Sequence, residues 1–408
     1  MANHNLDSTK FDPASDHGSI ARENICKDDV SLMEKTGASF RQYACFQRTA
    51  RIGANHRISK LSEADRAVLP HALISGSDAF KEREKLMVEA EIRNQFFFDN
   101  VLMSMGMEHS QDPAAAGEEV VPDDTAGKVR SVLKSVAREW TAEGAREREE
   151  CYGPIMAGLK EYVDRGRRVL VPGAGLGRLA LDIYLQGYEC CGNEFTFHML
   201  FLSDFILNHC GTEPPGLSFQ ISPWLGAKIN VNKIDDLTRT TTVPDIDPRR
   251  TLESQAEEVK ALNLDFSMVA GEFCEMYGQS KEEGRWDAVA SCFFLDTAPS
   301  IAEYLRVIHR CLSTGGVLVN FGPLLYHWSG PSLRPSQSID MYYKKSGHLD
   351  PRYMSSVDLC WDDVRQILIN VGFEILEEQM GLHATYTNDR KSFMNTQYNC
   401  VYFVARKK

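Results

Sequence analysis

Several kinds of segment are missing from this chain, and each gap removes a class of function. No window approaches the ~20 consecutive apolar residues that a membrane-spanning helix needs. The opening stretch, MANHNLDSTKFDPASD, holds no apolar core of the kind an export signal carries. The expectation is a soluble globular protein, with no membrane partner, in the cytoplasm or the nucleus. The chain has 11 cysteines but no CxxC pair, so neither a zinc site nor a disulfide framework is indicated, and no metal is expected. Thiols used in this way suit a reducing compartment. No basic cluster is longer than Arg406-Lys407-Lys408 and the formal net charge is -12, which argues against a nucleic-acid surface. No internal repeat is found. What remains is a chain of 408 residues with 43% hydrophobic content, enough for a substantial core in one large or two ordinary domains.

Against these absences one stretch stands out. Arg167 to Glu194, RRVLVPGAGLGRLALDIYLQGYECCGNE, reads as strand, glycine turn, helix and second strand ending in an acid. Val169, Leu170 and Val171 make a buried-strand run, and Gly173, Gly175 and Gly177 remove side chains where the backbone must turn and approach a ligand. Leu176, Leu179, Ala180 and Ile183 then recur at helical spacing. Glu194 follows the first glycine by about 20 residues, at the tip of the second strand, where a carboxylate can accept the protons of both ribose hydroxyls. A dinucleotide fingerprint would read GxGxxG, whereas this run is GxGxG, one residue short at the third glycine. That spacing resembles the first motif of class I methyltransferases, whose cofactor S-adenosylmethionine carries no phosphate. On the residues alone three other readings stay open: a ligand-free glycine turn, an NAD-dependent oxidoreductase disfavoured by the spacing, and a silent scaffold built on the N-terminal helices.

Around this motif the chain divides into a polar segment expected to be disordered at 1–28, a helical region at 29–150 and an α/β region at 151–408. In the helical region Phe40, Tyr43, Ala44 and Gln47 share one side, and Leu86, Ala90, Phe97 and Val101 recur in a charged background. A connector rich in Asp, Pro, Gly and Ala follows at 109–124, then a helix over 128–140. Beyond the glycine motif, strands are expected at 168–171, 189–192, 266–270, 286–292, 317–321, 374–378 and 399–405, alternating with helices as in a mostly parallel sheet. Two inserts interrupt it, 211–264 with the turn-rich VPDIDP and 328–356.

In an open parallel sheet ligands collect at the carboxyl ends of the strands. After the third strand come Glu272 and Phe273, an acid and an aromatic able to bond an adenine amine and cover its ring. After the fourth come Cys292-Phe293-Phe294-Leu295-Asp296, and after the fifth GPLLYH, ending in His327. Glu272, Asp296 and His327 are expected to converge on one cleft. Each has a plainer reading: Asp296 as the cap of a helix beginning near Ser300, His327 as a loop histidine, Glu272 as a solvated acid, and Tyr386 and Tyr398 as core or rim aromatics. His198, His309 and His383 are read as structural.

Taken together, VPGAGLGRLA, GYECCGNEFTFHMLF, CFFLDTA, GPLLYH, the tail from TYTNDR to QYNCVYFV and the upstream KVRSVLKSVAREWTAEGAREREECY resemble the carnosine N-methyltransferase family over roughly residues 35 to 405. The resemblance implies a class I Rossmann-like sheet of seven strands with an added N-terminal helical region, a homodimer, and methyl transfer from S-adenosylmethionine to the imidazole of carnosine, giving anserine. It implies cofactor contacts at Gly173, Gly175, Glu194, Glu272, Phe273 and Cys292. Arg138 would hold the cofactor's carboxylate, with Ser135 standing where relatives carry glutamine, as Glu272 stands where they commonly carry aspartate. Phe293, Asp296, His327 and Tyr398, with Tyr386, would surround the dipeptide. Methyl transfer from a sulfonium is an in-line displacement, so positioning is worth most, and a free imidazole with pKa about 6.5 is already mostly neutral at pH 7. As catalytic residues, Asp296 would accept the proton on the other ring nitrogen and His327, with Tyr398, would hold the ring or the dipeptide's charged ends. The same fold acting on histidine in another peptide or protein is the alternative.

Overall fold

The computed structural model describes residues 27–107, 123–213, 216–227, 229–254, 257–329, 338 and 356–408. The segment 1–28 and the connector 109–124 lie outside the described residues except at their ends, where helices begin at Lys27 and Asp123. The insert 328–356 is likewise mostly outside them.

The N-terminal layer is built from α1 (Lys27–Arg41), α2 (Tyr43–Ser59), α3 (Glu63–Ala67), α4 (Asp78–Ser104) and α5 (Asp123–Trp140), and α6 (Ala145–Tyr162) leads into the sheet. The expected apolar stripes turn inward. Phe40, Tyr43 and Gln47 are buried, as are Ala90, Phe97 and Val101, and Phe40 stacks on Phe98 with centroids 4.6 Å apart. These rings meet Phe201 and Phe205 of α8 (Phe197–His209), which follows α7 (Arg178–Leu185). α8 buries eight of its residues because α1, α4 and α5 pack on it from the helical layer and the insert helix Pro248–Glu253 adds to the cover. One apolar cluster therefore runs from Phe40 to Val319 without a break, and α6 passes straight through the boundary expected at 150.

The strands are β1 (Arg168–Pro172), β2 (Glu189–Glu194), β3 (Phe219–Ile221), β4 (Thr241–Val243), β5 (Phe266–Ala270), β6 (Trp286–Cys292), β7 (Leu312–Gly322), β8 (Phe373–Thr385) and β9 (Gln397–Lys407). Seven form one sheet in the order β5-β2-β1-β6-β7-β9-β8, and all seven expected strands are among them. The first five run parallel, and β9 lies antiparallel between β7 and β8. This is a class I methyltransferase sheet. β1 reads as an almost unbroken apolar run because helices cover both faces. With β2 on one side and β6 on the other, β1 is where the connections diverge, so a crevice opens above its carboxyl end. The insert 211–264 is not a plain loop: it folds into the β3–β4 hairpin and short helices against α4 and α5.

Candidate active site

Above that crevice lies a cavity of about 390 Å3, lined by the glycine turn, the ends of β2, β5 and β6, and residues from α5 and from the β8–β9 turn. Gly173, Gly175 and Gly177 all have positive φ (64°, 57° and 82°). A Cβ on Gly173 would stand 2.6 Å from the Phe294 ring, and one on Gly175 would stand 2.9 Å from Glu139 Oε1. Bare backbone is required at both positions by the groups packed against them.

Glu194 ends β2 buried, and its carboxylate holds the turn: Oε1 accepts from the Phe195 and Thr196 N–H at 2.9 and 2.8 Å, and Oε2 from the Gly175 N–H at 3.1 Å. Three of the four acceptor sites of a carboxylate are thereby used. One is left, on Oε2, enough for one ribose hydroxyl rather than both. Glu272 caps the short helix Phe273–Tyr277 through the Glu275 N–H at 2.8 Å and also lines the cavity, with Phe273 buried beside it against Phe294 and Tyr304.

The opposite wall comes from the last turn of α5. Arg138 is 5% exposed, with Tyr386 over its guanidinium at 4.5 Å and Tyr152 at 5.3 Å. Nη1 donates to the Tyr152 hydroxyl at 3.3 Å, and Glu147 Oε1 lies 3.2 Å from Nε, yet neither Nε nor Nη2 makes a hydrogen bond. A buried guanidinium with an open edge is costly unless something else completes it. Glu147 carries the wall on to the β8–β9 turn, accepting from Thr387 N–H at 2.5 Å, Asn388 N–H at 3.2 Å and Thr385 Oγ1 at 3.2 Å. Tyr386 is thus held between Arg138 and Phe293, whose ring centroid is 5.0 Å away.

A buried ionic chain locks α5 onto the glycine turn. Asp245 of the insert takes Arg178 Nη1 on one oxygen at 2.8 Å and Arg148 Nη2 on the other at 2.5 Å. Arg178 also donates to the Glu139 carbonyl, Arg148 to the Arg138 and Thr141 carbonyls, and the Asp245 N–H to the Trp140 carbonyl. Every carbonyl in the last turn of α5 that would otherwise be orphaned near Arg138 is engaged in this way.

The acceptor side is looser. Phe293 turns out of β6 with φ 52° and Tyr326 precedes His327 with φ 47°, uncommon backbone for bulky residues and typical of sites where structure is over-determined. His327 is exposed and lines the cavity, as do Phe293, Cys292 and Trp328. Asp296 is not a helix cap. It sits in a 3-10 turn, 1% exposed and behind the cavity wall, where Oδ2 accepts the Leu325 N–H at 2.9 Å and its carbonyl accepts the His327 N–H at 3.1 Å. Burial raises its pKa, against the pull of the Leu325 N–H and of His327. Asp296 therefore anchors the segment that presents His327.

A family profile, carnosine N-methyltransferase, matches residues 117–408. The chain belongs to the carnosine N-methyltransferase family. It is 34% identical to the carnosine N-methyltransferase of Rattus norvegicus over 76% of this chain and 70% of that protein. To that of Schizosaccharomyces pombe it is 30% identical over 93% of this chain and 96% of the yeast protein. Among solved structures it is similar to Burkholderia thailandensis 1,6-didemethyltoxoflavin-N1-methyltransferase with bound S-adenosylhomocysteine, at 16% identity and TM-score 0.33 over 71% of this chain and 92% of that one. The fold assignment rests on the strand order rather than on that likeness.

Of the positions that carnosine N-methyltransferases implied for this chain, Arg138, Gly173, Gly175, Glu194, Glu272, Phe273, Cys292, Phe293, His327 and Tyr386 line one cavity. Ser135, Asp296 and Tyr398 do not: Ser135 lies one turn further up α5 with its hydroxyl directed at the Ser131 carbonyl at 3.5 Å, and Tyr398 packs edge-on to Phe293 at 5.8 Å. The geometry adds Glu139, Asn193 and Trp328 to the lining, and Glu147 and Asp245 behind it. The adjacent Arg138-Glu139 pair ending an apolar helix was the available signal for Glu139. Nothing in VPDIDP marked Asp245.

Proposed function

We propose that this protein transfers a methyl group from S-adenosylmethionine to the imidazole ring of carnosine, giving anserine. The observation that carries the reading is the open, buried edge of Arg138 facing a cavity at the topological switch point of a class I sheet, in a chain of this family. The residues present fit the cofactor: a guanidinium without enough partners, a glycine turn whose bare backbone lines the cavity, two acids and an aromatic wall, in a volume within the range of ligand pockets. When bound, S-adenosylmethionine supplies an electrophilic methyl on a sulfonium. Arg138 holds its carboxylate, Glu194 a ribose hydroxyl, and Glu272 with Phe273 its adenine.

On the acceptor side Phe293 and Tyr386, packed on each other, give the dipeptide one aromatic wall and His327 orients it, with Tyr398 supporting Phe293. Asp296 acts on the ring only through the segment it anchors and is a positioning residue. The imidazole enters neutral, and the site need only align it and stabilise the cation that forms. The reading includes a homodimer, as the family resemblance implies, and a cytoplasmic or nuclear location, for which the ten free cysteines among the described residues speak. Mass spectrometry of carnosine incubated with the protein and methyl-labelled S-adenosylmethionine tests it. One added methyl on the imidazole, lost in Glu194→Ala, is expected; cofactor binding without transfer to carnosine would overturn the substrate assignment.

A further inference from the structure

Glu139 and Glu147 lie against Arg138 and Glu194 lines the same cavity, and only one of the three is left without a task. Glu147 accepts three hydrogen bonds from the β8–β9 segment and lies 3.2 Å from Arg138 Nε, and Glu194 accepts three from the backbone around the glycine turn, its fourth site being the one proposed for the ribose. Glu139 is 4% exposed and lines the cavity. Its Oε2 accepts the N–H of Leu176 at 3.2 Å, and of Arg178 at 3.5 Å, at the start of α7. Its Oε1 accepts no hydrogen bond among the described residues: it stands over Gly175, where a Cβ would lie 2.9 Å away, and 3.7 Å from Arg138 Nη1. The same helical turn thus presents a guanidinium edge and a carboxylate oxygen side by side to one end of the cavity. A single negative ligand group would satisfy Arg138 and leave Glu139 desolvated and repelled. A ligand end carrying both charges, an α-amino acid zwitterion, completes both.

Building on the cofactor reading above, we propose that Glu139 Oε1 binds the α-ammonium of S-adenosylmethionine while Arg138 takes the carboxylate, so that the pair selects the zwitterionic aminoacyl end. Glycine at 175 is then needed to leave room for the carboxylate as well as for the turn. Glu139 is faced by Arg138 on its own helix, the Arg178 N–H of α7, Glu194 from β2, Tyr152 from α6 and Tyr386 from the β8–β9 turn. Burial raises its pKa to about 7, with Arg138 and the two N–H groups pulling the other way. Near neutrality the carboxyl is half protonated until a cation arrives.

Calorimetry with S-adenosylhomocysteine and with its analogue in which the α-amino group is replaced by hydrogen tests this on the full-length protein. At pH 8 the wild type is expected to prefer the amine ligand by about ten- to hundredfold, the worth of a hydrogen bond between charged groups. Glu139→Gln should bring the two ligands within about threefold of each other while leaving the deaminated one bound as before. Titrations at pH 7 in two buffers of different ionisation enthalpy should show proton release with the amine ligand and none with the analogue. This second reading needs no variant. Equal losses for both ligands in Glu139→Gln, or equal proton release, would reduce Glu139 to a cap of α7 and overturn the proposal alone. Failure of the wild type to bind either ligand would overturn the cofactor reading and this proposal with it.

Discussion

At the cofactor end Arg138, Glu139 and Glu194 are each at most 7% exposed and held by backbone amides or buried side chains, whereas at the acceptor end Tyr386, stacked on Arg138, is 39% exposed and His327 sits exposed on a turn. The first wall is made of helix ends and strand ends whose positions are set by the core. The second is made of connections between elements, held by a few hydrogen bonds such as those from the Leu325 and His327 N–H to Asp296. The difference separates two demands. A cofactor shared by a whole fold needs charges desolvated and fixed in advance, while an acceptor that must enter and leave needs a wall that can be approached from solvent.

The sharpest test of the comparison is Arg138→Met. It leaves Glu139 and Glu147 buried without their cation, so a loss of about 3 to 5 kcal/mol in stability is expected from urea unfolding, together with more than about a hundredfold in S-adenosylhomocysteine affinity by calorimetry. Loss of affinity without loss of stability would mean that the wall is less interlocked than its contacts imply. Glu139→Gln should move stability in the opposite direction. Its folded pKa, about 7, lies above the ordinary 4.5, so its favourable contribution is complete below pH 4.5 and is lost as pH rises through 7. The ligand-free variant is therefore expected to be more stable than wild type at pH 8, by up to about 3 kcal/mol, and not at pH 4.

Asp245→Ala removes the shared partner of Arg148 and Arg178. A fall of about 2 to 3 kcal/mol in stability is expected, with cofactor affinity weakened more than the KM for carnosine, because the clamp sits behind α5. On the acceptor wall the pattern should reverse. His327→Ala is expected to lower kcat/KM for carnosine by about ten- to hundredfold, or 1.4 to 2.7 kcal/mol, with S-adenosylhomocysteine binding unchanged. The smallest effect distinguishes anchoring from charge at Asp296. Asparagine still accepts the Leu325 N–H, so Asp296→Asn should lose no more than about tenfold in kcat and Asp296→Ala clearly more. If Asn is as poor as Ala, the carboxylate's charge reaches the acceptor after all.

The seven strands, the glycine turn and the acid at the end of β2 were legible because each is written in local pattern: apolar runs, glycine spacing, and an acid one strand further on. So were the inward faces of α1, α2 and α4, which follow the helical period. The family motifs placed ten lining residues in one cavity. What local pattern misread was the insert 211–264, which looked like an interruption and contributes Asp245 behind the wall, and it gave no sign that Asp296, expected beside the dipeptide, is buried behind the cavity lining. Glu139 and Glu147 were missed because a charged residue near a helix end is ordinarily solvated, and only packing shows that these are not.

By itself the sequence determined the order of elements, the parallel sheet and the place of the cofactor motif, since strand and helix periods and glycine spacing act over a few residues. The tertiary structure alone decided which of many carboxylates are desolvated and which guanidinium keeps an open edge. Burial depends on what α5, α6, the insert and the β8–β9 turn bring together from positions up to about 240 residues apart.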